Sequence, residues 1–229
     1  NNSKLILALK SLSKKEFKEL GLFISSPLFN KNEDVLKLQS ILKKHYPNFD
    51  KKTLTHEKVA HQLFGCEDVT KLRYTMTDLM RLLERYLAYQ TFLPEEDEYL
   101  VKAYQKRGLN KYFNQEVKKQ HQEITENSAI RDEQYYQHLY ELNELSYRYT
   151  STHDNRNIDT ELQSLVDNLD VSFLSKKLKY SCEIINRMNI LNVKYDINLL
   201  NHLLEYIENN ELGDVPSITV YYQVLLTLR

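Results

Sequence analysis

The sequence predicts an all-α protein, because residues that break helices are scarce and apolar residues recur at helical spacing. The 229 residues include only four Gly and four Pro, and these are the residues that punctuate chains at turns. Leu, Lys, Glu, Gln and Asn are abundant, whereas an all-β chain would be rich in Val, Thr and Gly at regular turn spacings. We therefore expect long helices joined by short connections.

The N-terminal part opens with a recognisable helix start. Ser13 and Glu16 have the spacing of a capping box, in which the hydroxyl and the carboxylate satisfy backbone N–H groups. Pro27 ends this helix. A second amphipathic helix is expected after Asn30, and it ends before Pro47 because the residue preceding a proline disfavours helical geometry.

A short helix and a long helix complete the N-terminal part. Thr55 can cap the short helix, and Gly65 stands where a left-handed C-terminal cap is wanted. The long helix is predicted over 69–90, with one complete apolar face. That face consists of Leu72, Met76, Leu79, Met80, Leu83, Tyr86 and Leu87.

Pro94 and the acidic residues after it favour a new helix start, so we place a domain boundary between 1–92 and 93–229. The second domain is predicted to be a row of helical pairs with degenerate repeats, an α-α superhelix of stacked hairpins. The predicted helices are 95–107, 110–126, 129–151, 158–169, 171–191 and 197–209, with a further helix from Pro216.

The helix at 129–151 shows two apolar faces, as expected of a helix lying between two neighbours. One face contains Tyr135, Leu139, Leu142 and Tyr149, and the other contains Ile130, Tyr136, Tyr140 and Tyr147. The helix at 171–191 also shows two apolar faces. One contains Leu174, Leu178, Cys182, Ile185 and Met188, and the other, which flanks it, contains Phe173, Tyr180, Ile184 and Leu191.

Tyrosine is unusually frequent, with 17 Tyr and no Trp. A Tyr ring packs between helices, and its hydroxyl needs a polar partner or water. Two interpretations stay open: packing between helices, or an aromatic groove that binds a partner. The candidate groove residues are Tyr136, Tyr140, Tyr147, Tyr180, Tyr221 and Tyr222.

Charge is distributed unevenly along the chain. Residues 1–90 hold 16 Lys plus Arg against 10 Asp plus Glu, and residues 91–229 hold 15 against 22. A basic N-terminal domain can meet nucleic acid or the acidic half of the same chain. Ordinary solvated helix faces explain the asymmetry nearly as well.

A helix-turn-helix arrangement is the alternative interpretation of the first domain, with the long helix inserted in a DNA groove. The nucleic-acid face would then comprise Lys71, Arg73, Arg81 and Arg85, with Thr75 also pointing outward. Asp78 and Glu84 interrupt this face, and the leucine stripe suggests that the helix serves packing.

Motifs for catalysis, cofactors and metals are not found. His56 and His61 are five residues apart, which places them about 140° apart on a helix rather than on one metal-binding face. His202 and Glu205 form an ordinary helix-surface pair. The four glycines are scattered, so neither a phosphate loop nor a dinucleotide fingerprint can form. We expect no enzyme, no cofactor and no bound metal.

Location is indicated by the cysteines and the apolar segments. Cys66 and Cys182 lie far apart and are expected to be buried thiols of a reducing compartment. The N-terminus lacks the pattern of a signal peptide, and the uncharged stretch at 215–228 is shorter than a membrane span. A cytoplasmic protein without membrane contact is expected.

The chain resembles a family of uncharacterised bacterial helical proteins over most of its length. The resemblance lies in LSKKEF (12–17), SPLFNKN (26–32), YPNF (46–49), KLR through LE (71–84), KLKYSC (177–182) and VPSITVYY (215–222). It implies a C-terminal part similar to tetratricopeptide-like superhelices, which bind peptides or proteins in a concave groove. No activity is implied. The small-residue spacing of tetratricopeptides is not met.

These observations favour a non-catalytic scaffold or adaptor that binds a protein or peptide. The alternative is a DNA-binding regulator whose superhelix senses or oligomerises. The family resemblance implies a longer chain, and we expect this sequence to be a fragment whose last helix exposes an apolar patch. That helix is a candidate surface for homo-oligomerisation.

Overall fold

The fold of the chain, taken from a computed structural model, is all-helical, as predicted. The structure describes residues 3–50, 53–152, 162–210, 212 and 215–228, and within them it contains α-helices, short 3-10 turns and no strand. The helices are α1 (Lys4–Ser11), α2 (Lys14–Ser25), α3 (Glu33–Lys43), α4 (His56–Phe64), α5 (Val69–Phe92), α6 (Glu96–Lys106), α7 (Asn110–Asn127), α8 (Glu133–Thr152), α9 (Leu162–Leu191), α10 (Leu200–Asn209) and α11 (Pro216–Leu228).

The chain divides into two compact units, Asn1–Glu96 and Asp97–Arg229. The sequence boundary had been placed between 92 and 93. Pro94 stands within a 3-10 turn, Leu93–Glu95, which leads directly from α5 into α6. A proline suits this place because its missing N–H is not needed in the first turn of a helix.

In the first unit, α5 is the central helix and contacts each of α1 to α4. Its buried side chains join those of the other helices in one apolar core. The fully buried members include Leu20, Ile24, Leu38, Leu72, Leu79 and Leu83. Such burial contributes about 25 cal/mol per Å² of apolar surface, so this core holds the unit together.

Local signals in the first unit were confirmed where they rest on backbone geometry. The Ser13 hydroxyl accepts from the Glu16 N–H over 3.2 Å, and the Glu16 carboxylate accepts from the Ser13 N–H over 2.6 Å. Thr55 caps α4. Gly65 takes a φ of +73°, the left-handed conformation that favours glycine at a helix end.

Helix α1 was not predicted. Ser3 caps it by accepting from the Ile6 N–H, and Leu5, Ile6 and Leu9 are buried. Its eight residues are too few for a clear helical period in the sequence, and its stability comes from packing on α5.

In the second unit, α9 is the central helix and contacts α8, α10 and α11, while α7 packs on α8. Leu174, Leu178 and Cys182 of α9 share an apolar cluster with α10 and α11. A smaller cluster at the other side of α8 joins Tyr149 to Val101 and Phe113. Helix α8 therefore lies between two neighbours, as its two apolar faces had suggested.

The predicted break near Leu169 is wrong. Helix α9 is one helix of 30 residues from Leu162 to Leu191, where the sequence had suggested two helices, at 158–169 and 171–191. No Gly or Pro interrupts it. The predicted stretch 158–161 lies outside the described residues. The helical pair that was predicted to begin at 171 therefore does not begin there, because residue 171 lies inside α9.

Helix faces in the second unit were predicted in part. Tyr135, Leu139, Leu142 and Tyr149 are buried, as expected for the first face of α8. Ile130 precedes α8 and is 74% exposed, so its assignment to the second face is wrong.

Candidate protein-interaction surface

Helix α9 is held in a fixed rotation by contacts on two sides. Toward α8, the Lys179 ammonium forms an ion pair with Glu133, and Lys176 donates to the side-chain oxygen of Gln137 over 2.8 Å. Ser172 donates to the same Gln137 oxygen over 3.0 Å. These bonds fix which residues of α9 face α8.

The side of α9 toward α10 and α11 is mainly apolar but contains two polar contacts. The hydroxyls of Ser175 and Ser217 lie 2.8 Å apart in a buried position. The Cys182 thiol approaches the Tyr221 carbonyl at 3.5 Å, and burial raises the pKa of this thiol. A thiol with a raised pKa is a weak nucleophile at neutral pH, so Cys182 serves packing.

The third side of α9 carries a row of exposed apolar side chains, which we call the α9 apolar stripe. Its members are Leu162, Val166, Leu169, Phe173, Tyr180 and Leu191, each between 40% and 57% exposed. At 100° per residue, all six directions fall within about 60° of one another. Five members lie between Leu162 and Tyr180, and Leu191 continues the same direction at the C-terminal end, beyond the exposed Arg187.

The spacing within the stripe is that of a helix-pairing surface. From Leu162 to Tyr180 the steps are four, three, four and seven residues, which matches the alternating positions that meet a partner helix in a coiled coil. Exposed Asp170 lies beside the N-terminal half of the stripe, and exposed Arg187 lies in line with it between Tyr180 and Leu191.

The stripe was not recognised in the sequence. Phe173, Tyr180 and Leu191 had been identified as a second apolar flank, but the break predicted near Leu169 separated them from Leu162 and Val166. The missed signal is the absence of any helix breaker between 162 and 191.

The six tyrosines proposed as a partner groove are not all brought together. Tyr136, Tyr140 and Tyr147 share one half-buried face of α8. Tyr180 lies about 160° around α9 from Leu178, which packs toward α10 and α11. Tyr180 therefore points away from α11 and belongs to the α9 apolar stripe.

The two tyrosines of α11 are engaged in contacts within the unit. Tyr222 donates to the Glu208 carboxylate over 2.6 Å, and this bond raises the pKa of Tyr222. Burial, followed by the nearby Glu133 carboxylate, raises the pKa of Tyr221. Both half-buried rings fill space between helices, which is the packing interpretation of these residues.

The basic residues proposed to contact DNA lie on α5, and three of them have partners within the chain. Lys71 pairs with Asp34 at 3.1 Å, and Arg81 lies 3.5 Å from Asp78. Arg85 donates to a backbone carbonyl over 3.5 Å and lies 5.4 Å from the ring of the same residue, Phe29. A surface concavity of about 720 Å³ there is lined by both arginines and both carboxylates.

Arg73 is exposed on the same helix, but Thr75 is not, so its predicted outward position is wrong. Thr75 is 4% exposed and stands between Leu72 and Leu79 on the buried face of α5. Its hydroxyl donates to the Lys71 carbonyl over 3.0 Å. Because that bond satisfies the hydroxyl, Thr can occupy a core position without leaving a buried polar group unpaired.

The remaining candidate groups were located individually. Cys66 is exposed just after Gly65, so the expectation that both thiols are buried is wrong for this residue. Within the ranges that the structure describes, no three His, Cys, Asp or Glu side chains are grouped as metal ligands. No helix in the same ranges is long and apolar enough to cross a membrane.

Comparison with protein-family models, with curated proteins and with solved structures finds no match to this chain.

Proposed function

We propose that this chain is a non-catalytic interaction protein whose α9 apolar stripe packs against an amphipathic helix of a protein partner. The observation that carries the proposal is the stripe itself: six large side chains, each at least 40% exposed, aligned on one side of a single helix. A group of large exposed apolar side chains on one side of a helix is typical of interaction sites in folded proteins.

The kind of partner follows from the spacing. A surface that repeats in steps of four and three residues receives side chains from a second helix, which inserts them between its own. Asp170 flanks the N-terminal half of the stripe, Lys177 and Glu183 flank the C-terminal half, and Arg187 lies in line with the stripe. The fitting helix carries basic residues opposite Asp170 and acidic residues opposite the two cations.

Affinity capture from a cell lysate tests this proposal with a matched pair of variants. Val166→Asp with Phe173→Asp places two charges in the stripe. Asn186→Asp with Asn189→Asp adds the same two charges at exposed polar positions on other sides of α9. Circular dichroism confirms that each variant is folded.

We expect the unaltered chain and the asparagine variant to retain a reproducible helical partner, and the stripe variant to lose it. Equal retention by both variants would place the interaction elsewhere. A folded chain that captures nothing would contradict the proposal.

Self-association through α11 is proposed as a second interaction. Helix α11 contains no charged residue, and Val220, Val224 and Leu226 are 57%, 39% and 48% exposed. Light scattering tests it: we expect a dimer or larger species that Val220→Asp with Val224→Asp dissociates. A monomer at high concentration would exclude this interaction.

A further inference from the structure

The net positive charge of residues 1–90 is concentrated in two short segments. Residues 1–90 carry an excess of six cations. Segments 10–18 and 43–52 each contain four Lys against one acidic residue, and the remaining residues contain eight cations and eight anions. Helix α5, by comparison, contains four cations against two anions.

The fold brings the two segments together. Tyr46 donates its hydroxyl hydrogen to the backbone carbonyl of Leu12 over 2.8 Å. The Phe17 ring lies 4.5 Å from the ring of Tyr46 and 6.3 Å from that of Phe49. The connection after α3 is thereby fixed against the corner between α1 and α2.

Five exposed lysines lie next to these contacting residues in the sequence, and we call them the lysine corner: Lys10, Lys14, Lys18, Lys43 and Lys44. Lys10 and Lys14 flank Leu12, Lys18 follows Phe17, and the other two end α3 just before Tyr46. Lys51 and Lys52 lie outside the described residues and are not part of the corner.

The corner lysines differ from Lys71 and Arg81 of α5 in having no ion pair among the residues that the structure describes. Neighbouring carboxylates on α2 are engaged: Glu16 accepts from the Ser13 N–H, and Glu19 lies 3.7 Å from Lys15. The Glu19 carboxylate also accepts from Tyr86 over 3.1 Å. None of the five ammonium groups forms an ion pair with either of these two carboxylates.

The chemistry of the corner distinguishes a phosphate backbone from a protein partner. A stable protein interface has an apolar centre with aromatic anchors, but the large apolar side chains here, Leu12, Phe17 and Phe49, are buried in the core of the unit. What is left on the surface is a set of separate positive charges. Lysine presents a compact point charge rather than the planar fork of arginine, and such a charge suits contact with phosphate oxygens.

We propose that the lysine corner binds the phosphate backbone of nucleic acid, independently of base sequence. The proposal uses a different unit and different residues from the α9 apolar stripe, so each can fail without the other. It also differs from groove recognition by α5, whose residues Lys71, Arg81 and Arg85 are engaged within the chain.

Fluorescence anisotropy of the full chain with a labelled DNA duplex of about 20 base pairs and mixed sequence tests the proposal. Five phosphate contacts predict that affinity falls roughly 10² to 10³-fold between about 50 mM and 200 mM salt. An unrelated duplex of equal length is expected to bind equally well.

Two variants with equal net charge distinguish the surfaces. One changes Lys10, Lys14, Lys43 and Lys44 to Gln, and the other changes Lys71, Arg73, Arg81 and Arg85 to Gln. We expect the first to weaken binding at least tenfold and to reduce the salt slope by about 3 to 4, and the second to change little. Changing the same four lysines, Lys10, Lys14, Lys43 and Lys44, to Arg keeps the charge and is expected to retain binding.

Three results would overturn the proposal. The first is that the unaltered chain does not bind duplex at low salt. The second is an equal loss of affinity in the two Gln variants, which would show that net charge alone determines binding. The third is displacement of the duplex by polyglutamate of matched charge at equal concentration. The last result would assign the corner to an acidic protein segment.

Discussion

Lys179 of α9 donates a hydrogen bond to the carboxylate of Glu133 at the start of α8, and the side chain of Glu133 is only 9% exposed. This hydrogen bond raises the pKa of Lys179, so the ammonium form is favoured. The pair fixes the rotation of α9 relative to α8 and so determines which side of α9 carries the α9 apolar stripe.

Removal of one member of this pair is predicted to cost more than removal of both. Lys179→Met leaves a carboxylate that water barely reaches, and an uncompensated buried charge is unfavourable. We expect Lys179→Met to lower the Tm by several degrees, and the further change Glu133→Gln to recover part of the loss. A double-mutant cycle with no coupling between the two positions would contradict the role assigned to the pair.

The continuity of α9 predicts the effect of proline at position 170. Asp170 is exposed within the helix, so Asp170→Pro removes a backbone hydrogen bond and costs about 3 kcal/mol or more. The control Asp170→Ala is expected to leave stability nearly unchanged or slightly raised. If a loop existed here, as the sequence had suggested, the proline variant would unfold at the same urea concentration as the unaltered chain.

Truncation of the side chain is predicted to destabilise the protein strongly at Leu178 of α9 and hardly at all at Tyr180, two residues further on. Leu178 has no exposed surface, and Leu178→Ala leaves a cavity that costs about 2 to 5 kcal/mol. Tyr180 is 57% exposed, and Tyr180→Ala is expected to change the free energy of unfolding by less than about 0.5 kcal/mol. Similar losses at both positions would mean that Tyr180 is packed rather than available to a partner.

Acid is predicted to weaken the start of α2. Hydrogen bonds from the Ser13 hydroxyl and N–H lower the pKa of Glu16 below its ordinary value. Since the folded pKa is below the unfolded one, the stabilisation is fully present above the unfolded pKa and is lost as the pH falls through the folded pKa. The Tm difference between the unaltered chain and Glu16→Gln is expected to shrink over that range.

The same helix start offers a control at neutral pH. Ser13→Ala removes the cap and is expected to cost about 1 kcal/mol. A Tm difference for Glu16→Gln that stays constant from neutral pH to below the folded pKa would show that the carboxylate does not contribute through its charge.

Prediction from sequence succeeded where a single residue determines the backbone. Gly65 takes a φ of +73° at the end of α4, where a left-handed cap was predicted, and Gly108 takes a φ of +63° after α6. A glycine cap can be predicted without tertiary information, because the Cβ atom of any other residue makes the left-handed conformation sterically unfavourable. Ser13 with Glu16 is a similar local device.

Prediction failed where burial depends on neighbouring helices. Thr75 is polar in the sequence but lies in the core, because its hydroxyl bonds to the chain one turn back. The stretch around Asp170 has apolar residues on several sides of α9, and such a pattern has no single helical period by which continuity can be recognised. The α9 apolar stripe depends on that continuity and therefore emerged only from the fold.

The central claim, that the α9 apolar stripe faces a protein partner, is tested most directly by photo-cross-linking in cells. A photoreactive amino acid replaces Phe173 in the stripe or, as a control, Asn189 on another side of the same helix. The account predicts a discrete adduct with an amphipathic helix of one protein from position 173 and none from position 189. Adducts from position 189 alone, or from neither position in a folded protein, would contradict it.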